Sequence, residues 1–423
     1  MSFDIDWIRQ QFPALTQKHN GQPVIFFDGP GGTQVPNSVI SAMTNYLVHS
    51  NANAHGAFIT SERTDATITA AREAMADFLG CDGDEIVFGA NMTSLTFRFS
   101  RAIARELKAG DEIVVTRLDH DANVAPWMAL EEKEVVVRMV DINPSDCTLD
   151  MADLEKKVGD RTKLIAVVYA SNASGSVNNI PAIVRLAHQV GAWVFVDAVH
   201  YAPHGSIDVR AMDCDFLVCS AYKFFGPHVG ILYGKRKHLA RLRPYKVRPA
   251  ADVVPSRWET GTLNFEGLAG VIGTIDYLTE LGRRVSSARG DRHALLVAAL
   301  DATRQYERKL CEHLVMGLLQ ISGVTIYGIT ELVHFDWRVP TVSIHLQGYT
   351  PYELAKALGD RDIFTWHGNV YALNLTERLG IESKGGFLRI GLVHYNTLAE
   401  IDRLLATLQA IAPKLSLIIP ALL

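Results

Sequence analysis

The sequence predicts an α/β protein: a large domain on a doubly wound, mostly parallel sheet, followed by a smaller α+β domain. Three observations predict it. Short β-branched apolar runs alternate with helix-patterned segments across the first two thirds of the chain. Those runs are apolar on both faces, as parallel strands covered by helices on each side must be. After about residue 283 the alternation stops, and strands and helices segregate. The expected division is 1–283 for the large domain and 284–423 for the small one, with residues 1–22 packing on the latter.

In chain order, the strand-like runs are 85–88, 112–115, 135–140, 163–168, 193–196 and 216–219, all rich in Val, Ile, Leu or Phe. Helix-patterned stretches at 62–79, 93–107, 151–157 and 181–190 accompany them. The last has Pro181 beside its start and Gly191 just past its end, a good start and a good stop. Beyond 283 a long helix is expected over 288–320, then strands near 324–327, 339–346 and 387–390. Helices near 351–358 and 397–411 complete the smaller unit. No internal repeat or low-complexity segment is found.

Composition excludes several classes of function. Lys and Arg total 41 against 46 Asp and Glu, a net charge of −5, which favours neither nucleic acid nor an anionic membrane surface. The basic run 234–238, with Arg241 and Arg243 after it, reads as a solvated face. No run of about 18 apolar residues exists, so no membrane span is expected. The five cysteines (Cys81, Cys147, Cys214, Cys219, Cys311) form no CxxC pair. That speaks against a disulfide framework or zinc knuckle and for a reducing cytoplasm. The first residues carry acids where a secretory signal needs bases, which again fits a cytoplasmic protein.

In a parallel sheet, ligands bind outside the carboxyl ends of the strands. The residue after each apolar run therefore matters. Run 85–88 leads into Gly89-Ala90-Asn91-Met92-Thr93-Ser94, and run 163–168 into Tyr169-Ala170-Ser171-Asn172. Run 193–196 leads into Asp197-Ala198-Val199-His200, and run 216–219 into Ser220-Ala221-Tyr222-Lys223. Taken singly, each is ordinary: Asp197 as a turn acid, Thr93 and Ser94 as helix caps, Lys223 as a surface lysine. Together they bring hydroxyls, an amide, an acid, an imidazole and an amine to one crevice.

Pyridoxal 5′-phosphate (PLP) needs such a set. Its phosphate wants hydroxyls and free N–H groups at a helix N-terminus, which 89–94 offers. Its pyridine nitrogen must stay protonated for the ring to act as an electron sink, and Asp197 is a suitable partner. Its aldehyde needs an amine that can shed a proton. Lysine's ordinary pKa near 10.4 leaves well under about 1% neutral at pH 7, so the surroundings must tune it. Lys223 stands beside Phe224 and Phe225, whose bulk would desolvate it. The spacing of Asp197 and Lys223 matches one strand-to-strand step.

These residues resemble the class V aminotransferases of PLP fold type I, and within them cysteine-desulfurase-like proteins, from about Phe26 to the C-terminus. The landmarks are Phe27-Asp28-Gly29-Pro30-Gly31-Gly32-Thr33-Gln34, the segment 118–127, Val196-Asp197-Ala198, the segment 220–227, and Glu259-Thr260-Gly261-Thr262. The resemblance implies that Lys223 carries the cofactor as a Schiff base and later shuttles protons, while Asp197 pairs with the pyridine nitrogen. It implies that Asn172 donates to the ring's 3′-oxygen and that His200 does a similar task where the family usually has glutamine. Thr93, Ser94, Ser220 and Tyr222 would hold the phosphate. Thr262 would reach the phosphate of a neighbouring subunit, which implies a homodimer. Arg389 would bind the carboxylate of a small L-amino acid, a task its guanidinium suits. Asn53, His55, His367 and Tyr371 are candidate substrate-facing groups.

The sequence departs from the family twice. Cysteine desulfurases place a nucleophilic cysteine on a loop matching 364–372; here that loop has none, and Tyr371 falls near its position. The residue that stacks on the PLP ring, commonly histidine, aligns with Asp121, beside His120 and Asn123. Either the true register differs by one or the ring is covered differently. The reactions left open are transamination, loss of a β-substituent (a C–S lyase included), epimerisation and true cysteine desulfuration.

Rival readings are weaker. No GxGxxG joins a strand to a helix, as a nicotinamide enzyme requires. Gly230-Ile231-Leu232-Tyr233-Gly234-Lys235 lacks the spacing and hydroxyl of a phosphate loop. Asp197, His200 and His204 could suggest a metal hydrolase, but Pro203 interrupts the helix that would align the histidines. A non-catalytic PLP-fold binding protein is opposed by the intact lysine and aspartate.

Overall fold

The computed structural model describes residues 3–286 and 290–413. Seven strands form the main sheet: β1 (Ile86–Gly89), β2 (Glu112–Thr116), β3 (Val136–Val140), β4 (Thr162–Val168), β5 (Trp193–Asp197), β6 (Phe216–Ser220) and β7 (Gly230–Gly234). Their order is β1-β7-β6-β5-β4-β2-β3. All neighbours are parallel except β7, which runs antiparallel to both β6 and β1. Most of 230–235, which lacks the spacing of a phosphate loop, is this inserted strand.

Successive strand residues enter two different cores, as the period of two requires. Val87, Ile113, Val115, Leu164, Ala166, Phe195, Phe216 and Val218 lie in one cluster. Ile86, Phe88, Val114, Ile165, Val167, Val194, Val196 and Leu217 lie in the other. Both faces of the sheet are thus dry, which is why its strands read as unbroken apolar runs.

The large helices are α1 (Asn37–His49), α2 (Ile59–Leu79), α3 (Met92–Ile103), α4 (Ile180–Gln189), α5 (Phe265–Val285) and α6 (Arg292–Leu318). The helix expected over 288–320 is α6; its first two expected residues lie outside the described ones. Gly80 ends α2 at φ +73°, the left-handed conformation that glycine adopts without strain. At the head of α3, the Asn91 side chain accepts the Ser94 N–H at 2.9 Å. β7 passes this helix start closely, for a Cβ on Gly230 would lie 2.4 Å from the Asn91 carbonyl carbon. Only glycine lets the strand run beside the helix entrance.

A second sheet is antiparallel: β8 (Val324–Tyr327), β9 (Thr341–Leu346), β11 (Phe387–Gly391) and β10 (Trp366–Gly368), in that spatial order. With helices Pro351–Gly359 and Leu398–Ile411 it surrounds its own core of Leu310, Leu314, Val342, Ile344, Leu388, Ile390 and Leu404. Residues from the start of the chain also enter this part. Ile25–Phe26 pairs in parallel with Ile363–Phe364, and Arg9 bridges Glu400 at 2.9 Å. Phe12 inserts among Phe225, Tyr277, His394 and Tyr395. The first residues therefore touch both sheets' surroundings, not the smaller unit alone. Residues 1–2 and 414–423 of the expected domains lie outside the described residues. No described helix is long and apolar enough to cross a membrane.

Candidate active site

The parallel strands β4, β5 and β6 end at one edge of the sheet, and the second sheet closes over that edge. Between them lies a cavity of about 470 Å³. Asp197 ends β5 and is buried; its Oδ1 accepts the Val199 N–H at 2.9 Å. Burial pushes its carboxyl up to about 6, against the pull of that N–H and of Lys223. Lys223 sits on the short turn Ala221–Lys223 after β6. Its Nζ donates to the carbonyl of Gly31 at 3.0 Å and to that of Pro30. Burial pulls the amine down to about 7, the Arg389 charge adds to this, and Asp197 opposes it. Both groups line the same cavity. The desolvating walls differ from those expected, because Phe224 and Phe225 are buried away from the cavity.

The other expected residues divide. Thr93 and Tyr222 line the cavity. Ser220 is buried behind it, with its hydroxyl accepting the Met92 N–H at 3.0 Å. Ser94 is exposed and does not line it. Asn172 lines it and acts as a node: its main-chain oxygen accepts from Arg389 at 3.0 Å and its Nδ2 donates to the Val370 carbonyl at 2.8 Å. Its Oδ1 is buried with no partner. Arg389, on β11, is buried and lines the cavity, and its Nε has no partner. Among the described residues it has no ion-pair partner, and burial pulls it down to about 9, with Asp28 opposing. A buried guanidinium in that state is ready for an external carboxylate.

Asp121 does not line the cavity; its neighbour His120 does. His120 precedes the tight turn Asp121–Asn123 and its Nδ1 accepts the Ala122 N–H at 3.0 Å. Its ring stacks on Tyr371 at 5.2 Å, and burial pulls it down to about 4, aided by Lys223 and Arg389. An aromatic imidazole, not a carboxylate, thus faces the cavity, which corrects the register drawn from sequence by one residue. Asn53, His55 and Thr262 are exposed and do not line this cavity; His55 pairs with Asp65 at 3.0 Å.

His367 and Tyr371 line the cavity, and with them Trp366, Gly368, Asn369 and Val370, which sequence reasoning did not single out. Trp366 leans over Gly31, where a Cβ would sit 2.1 Å from the indole nitrogen. Val370 and Tyr371 take φ of +49° and +61°, strained for a β-branched and a bulky residue. The Tyr371 carbonyl accepts the Asp121 N–H at 2.7 Å. Asp28 was also missed: it is largely buried, Oδ1 has no partner, and burial lifts it to about 6, with its own amide and Arg389 opposing. It lay inside a quoted motif, Phe27-Asp28-Gly29-Pro30, which was the available signal. None of the five cysteines lines the cavity.

The family model for class V aminotransferases matches residues 25–404. The chain belongs to that family. A cysteine desulfurase of Pectobacterium atrosepticum is 31% identical over 97% of this chain and 98% of its own length. One from Synechococcus elongatus is 32% identical over 97% of this chain, which spans 64% of that relative's length. The apo structure of cysteine desulfurase from Thermococcus onnurineus NA1 matches with TM-score 0.86 at 26% identity, covering 97% of this chain and 98% of that one. The architecture of this class V aminotransferase family member is PLP fold type I.

Proposed function

We propose that this family member acts on a small L-amino acid, with pyridoxal 5′-phosphate, its cofactor, held on Lys223. The observation that carries the reading is the meeting of a neutralisable amine (Lys223), a buried carboxylate (Asp197) and an unpaired buried guanidinium (Arg389) in one cavity. The residues fit the cofactor: Asn172 Nδ2 has a second N–H beyond the one given to Val370, Asp197 is a buried carboxylate in the cavity wall, and Thr93 stands at the start of a helix. When bound, the cofactor supplies an aromatic electron sink for charge released at the substrate's α-carbon.

The protein's share is positioning and proton handling. Asp197 would keep the ring nitrogen protonated, and His120, in the cavity wall, would lie against the ring. Thr93 and Tyr222 hold the phosphate at the head of α3, where the neighbouring Met92 and Ser94 N–H groups are already taken by Ser220 and Asn91. Asn172 and His200 serve the ring oxygen. Arg389 binds the substrate carboxylate, and Lys223 takes and returns the α-proton. Thr262, exposed here, reaches the neighbouring subunit of a homodimer.

The reaction is amino transfer or β-elimination, a C–S lyase step included, with epimerisation available to the same proton shuttle. The strap over the cavity carries Tyr371 and no thiol. A second reading, cysteine desulfuration, is favoured by the names of the relatives; it needs a sulfur acceptor other than a cysteine lining this cavity.

The purified protein should carry a visible absorption band that borohydride bleaches, leaving the cofactor fixed to the Lys223 peptide. Absence of the band after loading with PLP, or labelling of another lysine, would overturn the assignment. L-amino acids assayed in parallel for sulfide, pyruvate, keto acid and racemisation then choose the reaction. Sulfide from cysteine with alanine as co-product selects the second reading. A size measurement across concentrations tests the dimer.

A further inference from the structure

His204 was weighed with Asp197 and His200 as a metal ligand, and among the described residues no His, Cys, Asp and Glu group is arranged to hold a metal. Yet His204 is 3% exposed and its Nδ1 lies 2.7 Å from Oε2 of Glu307, which is 1% exposed. The His204 ring meets that of His200 edge to face, with centroids 5.4 Å apart at 74°. His200 in turn lines the cofactor cavity, and its Nε2 is 2.9 Å from the Thr341 hydroxyl. Burying a carboxylate and an imidazole is costly, and apolar residues of similar size usually pack such space better. The pair sits one ring behind the cavity wall.

We propose that Glu307 and His204 are positioning residues that keep His200 neutral and in one tautomer, with Nδ1–H presented to the cofactor's ring oxygen. The idea rests on the cofactor reading of this cavity. In the proposed arrangement the Thr341 hydroxyl donates to Nε2, which leaves the single proton of neutral His200 on Nδ1, the nitrogen left for the cavity. The imidazolium form is opposed from every side. Lys223 and Arg389 face it from the turn after β6 and from β11. His204 faces it from its own loop, with the anion, Glu307 of α6, lying farther away. Asp197 is the one carboxylate nearby on its own segment. Burial acts in the same direction as these cations. His204 and Glu307 form a buried hydrogen-bonded pair that orients a dipole at His200 from behind the cavity wall. They also border a second cavity of about 150 Å³, which gives a substituted side chain room.

The test reads the pH midpoint of the visible band of the cofactor-loaded protein without substrate, in a double-mutant cycle of Glu307→Gln with His200→Gln. Glutamine at 200 can donate but cannot take up a proton. Glu307→Gln alone should move the midpoint by about one pH unit, downwards, because His200 becomes easier to protonate and places a cation beside the cofactor. In the His200→Gln background the same change should move it by less than about a quarter of that. Equal shifts in both backgrounds, or none in the first, would sink the proposal. If Glu307→Gln does not fold, His204→Gln takes its place in the cycle with the same expectations. The ¹⁵N shifts of His200 in cofactor-free protein give an independent readout: a neutral ring protonated on Nδ1, changing on Glu307→Gln. A protein with no visible band would fail the cofactor reading, whereas an Nε2–H tautomer in the cofactor-free protein would fail this one.

Discussion

The carboxyl edge of the main sheet and the strap over residues 364–372 face each other across one cavity, and they are built in opposite ways. Asp197 and Lys223 stand at the ends of strands whose side chains are buried on both faces. The position of Asp197 follows from parallel register and Lys223 follows β6 on a short turn, while Phe225, at φ +73°, lies outside the cavity wall. The strap is irregular and partly exposed: Trp366 is 49% and Tyr371 71% exposed, and two adjacent non-glycine residues are left-handed. A rigid frame here carries an irregular loop.

The comparison breaks first at the edge. Lys223→Ala should remove the visible band and lower turnover by about 10²–10⁴-fold or more, since proton transfer by a placed group is worth that much. Activity surviving at near wild-type level would move the chemistry elsewhere. Arg389→Ala should come next, lowering kcat/KM by about 30- to 5000-fold, the range for removing one partner of a buried charge pair. The loss should fall mainly on KM and should shrink for substrates lacking a carboxylate, which competition assays can follow.

The same edge predicts a pH dependence. Asp197 is raised from 3.8 to about 6 in the folded protein. The folded state therefore holds the extra proton between those values, and stability contributed by this group falls as pH rises through them. Asp197→Asn in cofactor-free protein should flatten that part of the stability curve. Lys223 acts the other way: lowered from 10.5 to about 7, it leaves the unfolded chain holding more protons, so its contribution rises with pH between about 7 and 10.5. Denaturant midpoints across pH, with Lys223→Met as the control, check both signs.

The edge was legible because strand ends in a parallel sheet can be read from apolar runs and the residues that follow them. Several elements were not. α5 was missed, since Gly267, Gly270 and Gly273 weaken a helical reading. Their reason is tertiary: a Cβ on Gly273 would lie 2.7 Å from the Ser38 carbonyl and one on Gly270 2.9 Å from Met43 Cγ, so the glycines let α1 and α5 approach closely. β7 was hidden by its terminal glycines and by running against its neighbours. At 120–121 the choice of which side chain faces the cavity lies in turn dihedrals, with His120 extended before the turn, and no pattern of residue types encodes it. Thr262, Asn53 and His55 are exposed and do not line the cavity, so the single chain gives them no part in it.

The strap offers smaller and finer tests. Gly31→Ala should push the indole of Trp366 from the cavity wall, because its Cβ would collide with the ring nitrogen. KM should change several-fold while the cofactor band stays, and Trp366 fluorescence should report the shift; an unchanged KM would separate Trp366 from substrate binding. The smallest effect is the most telling about how the strap works. Val370 is a β-branched residue at φ +49°, a conformation that costs about 1–3 kcal/mol. Val370→Gly removes that strain but also adds freedom to the unfolded chain, which offsets part of the gain. A net stabilisation of about 1 kcal/mol or less is expected. Turnover should nonetheless fall a few-fold, because the Val370 and Tyr371 carbonyls that tie the strap to Asn172 and Asp121 would no longer be held in one arrangement. Greater stability with lower activity would mean that the strained backbone is part of the site. If stability and activity moved together, the strain would be an incidental feature of the loop, and the contrast between a rigid edge and a tensioned strap would lose its meaning.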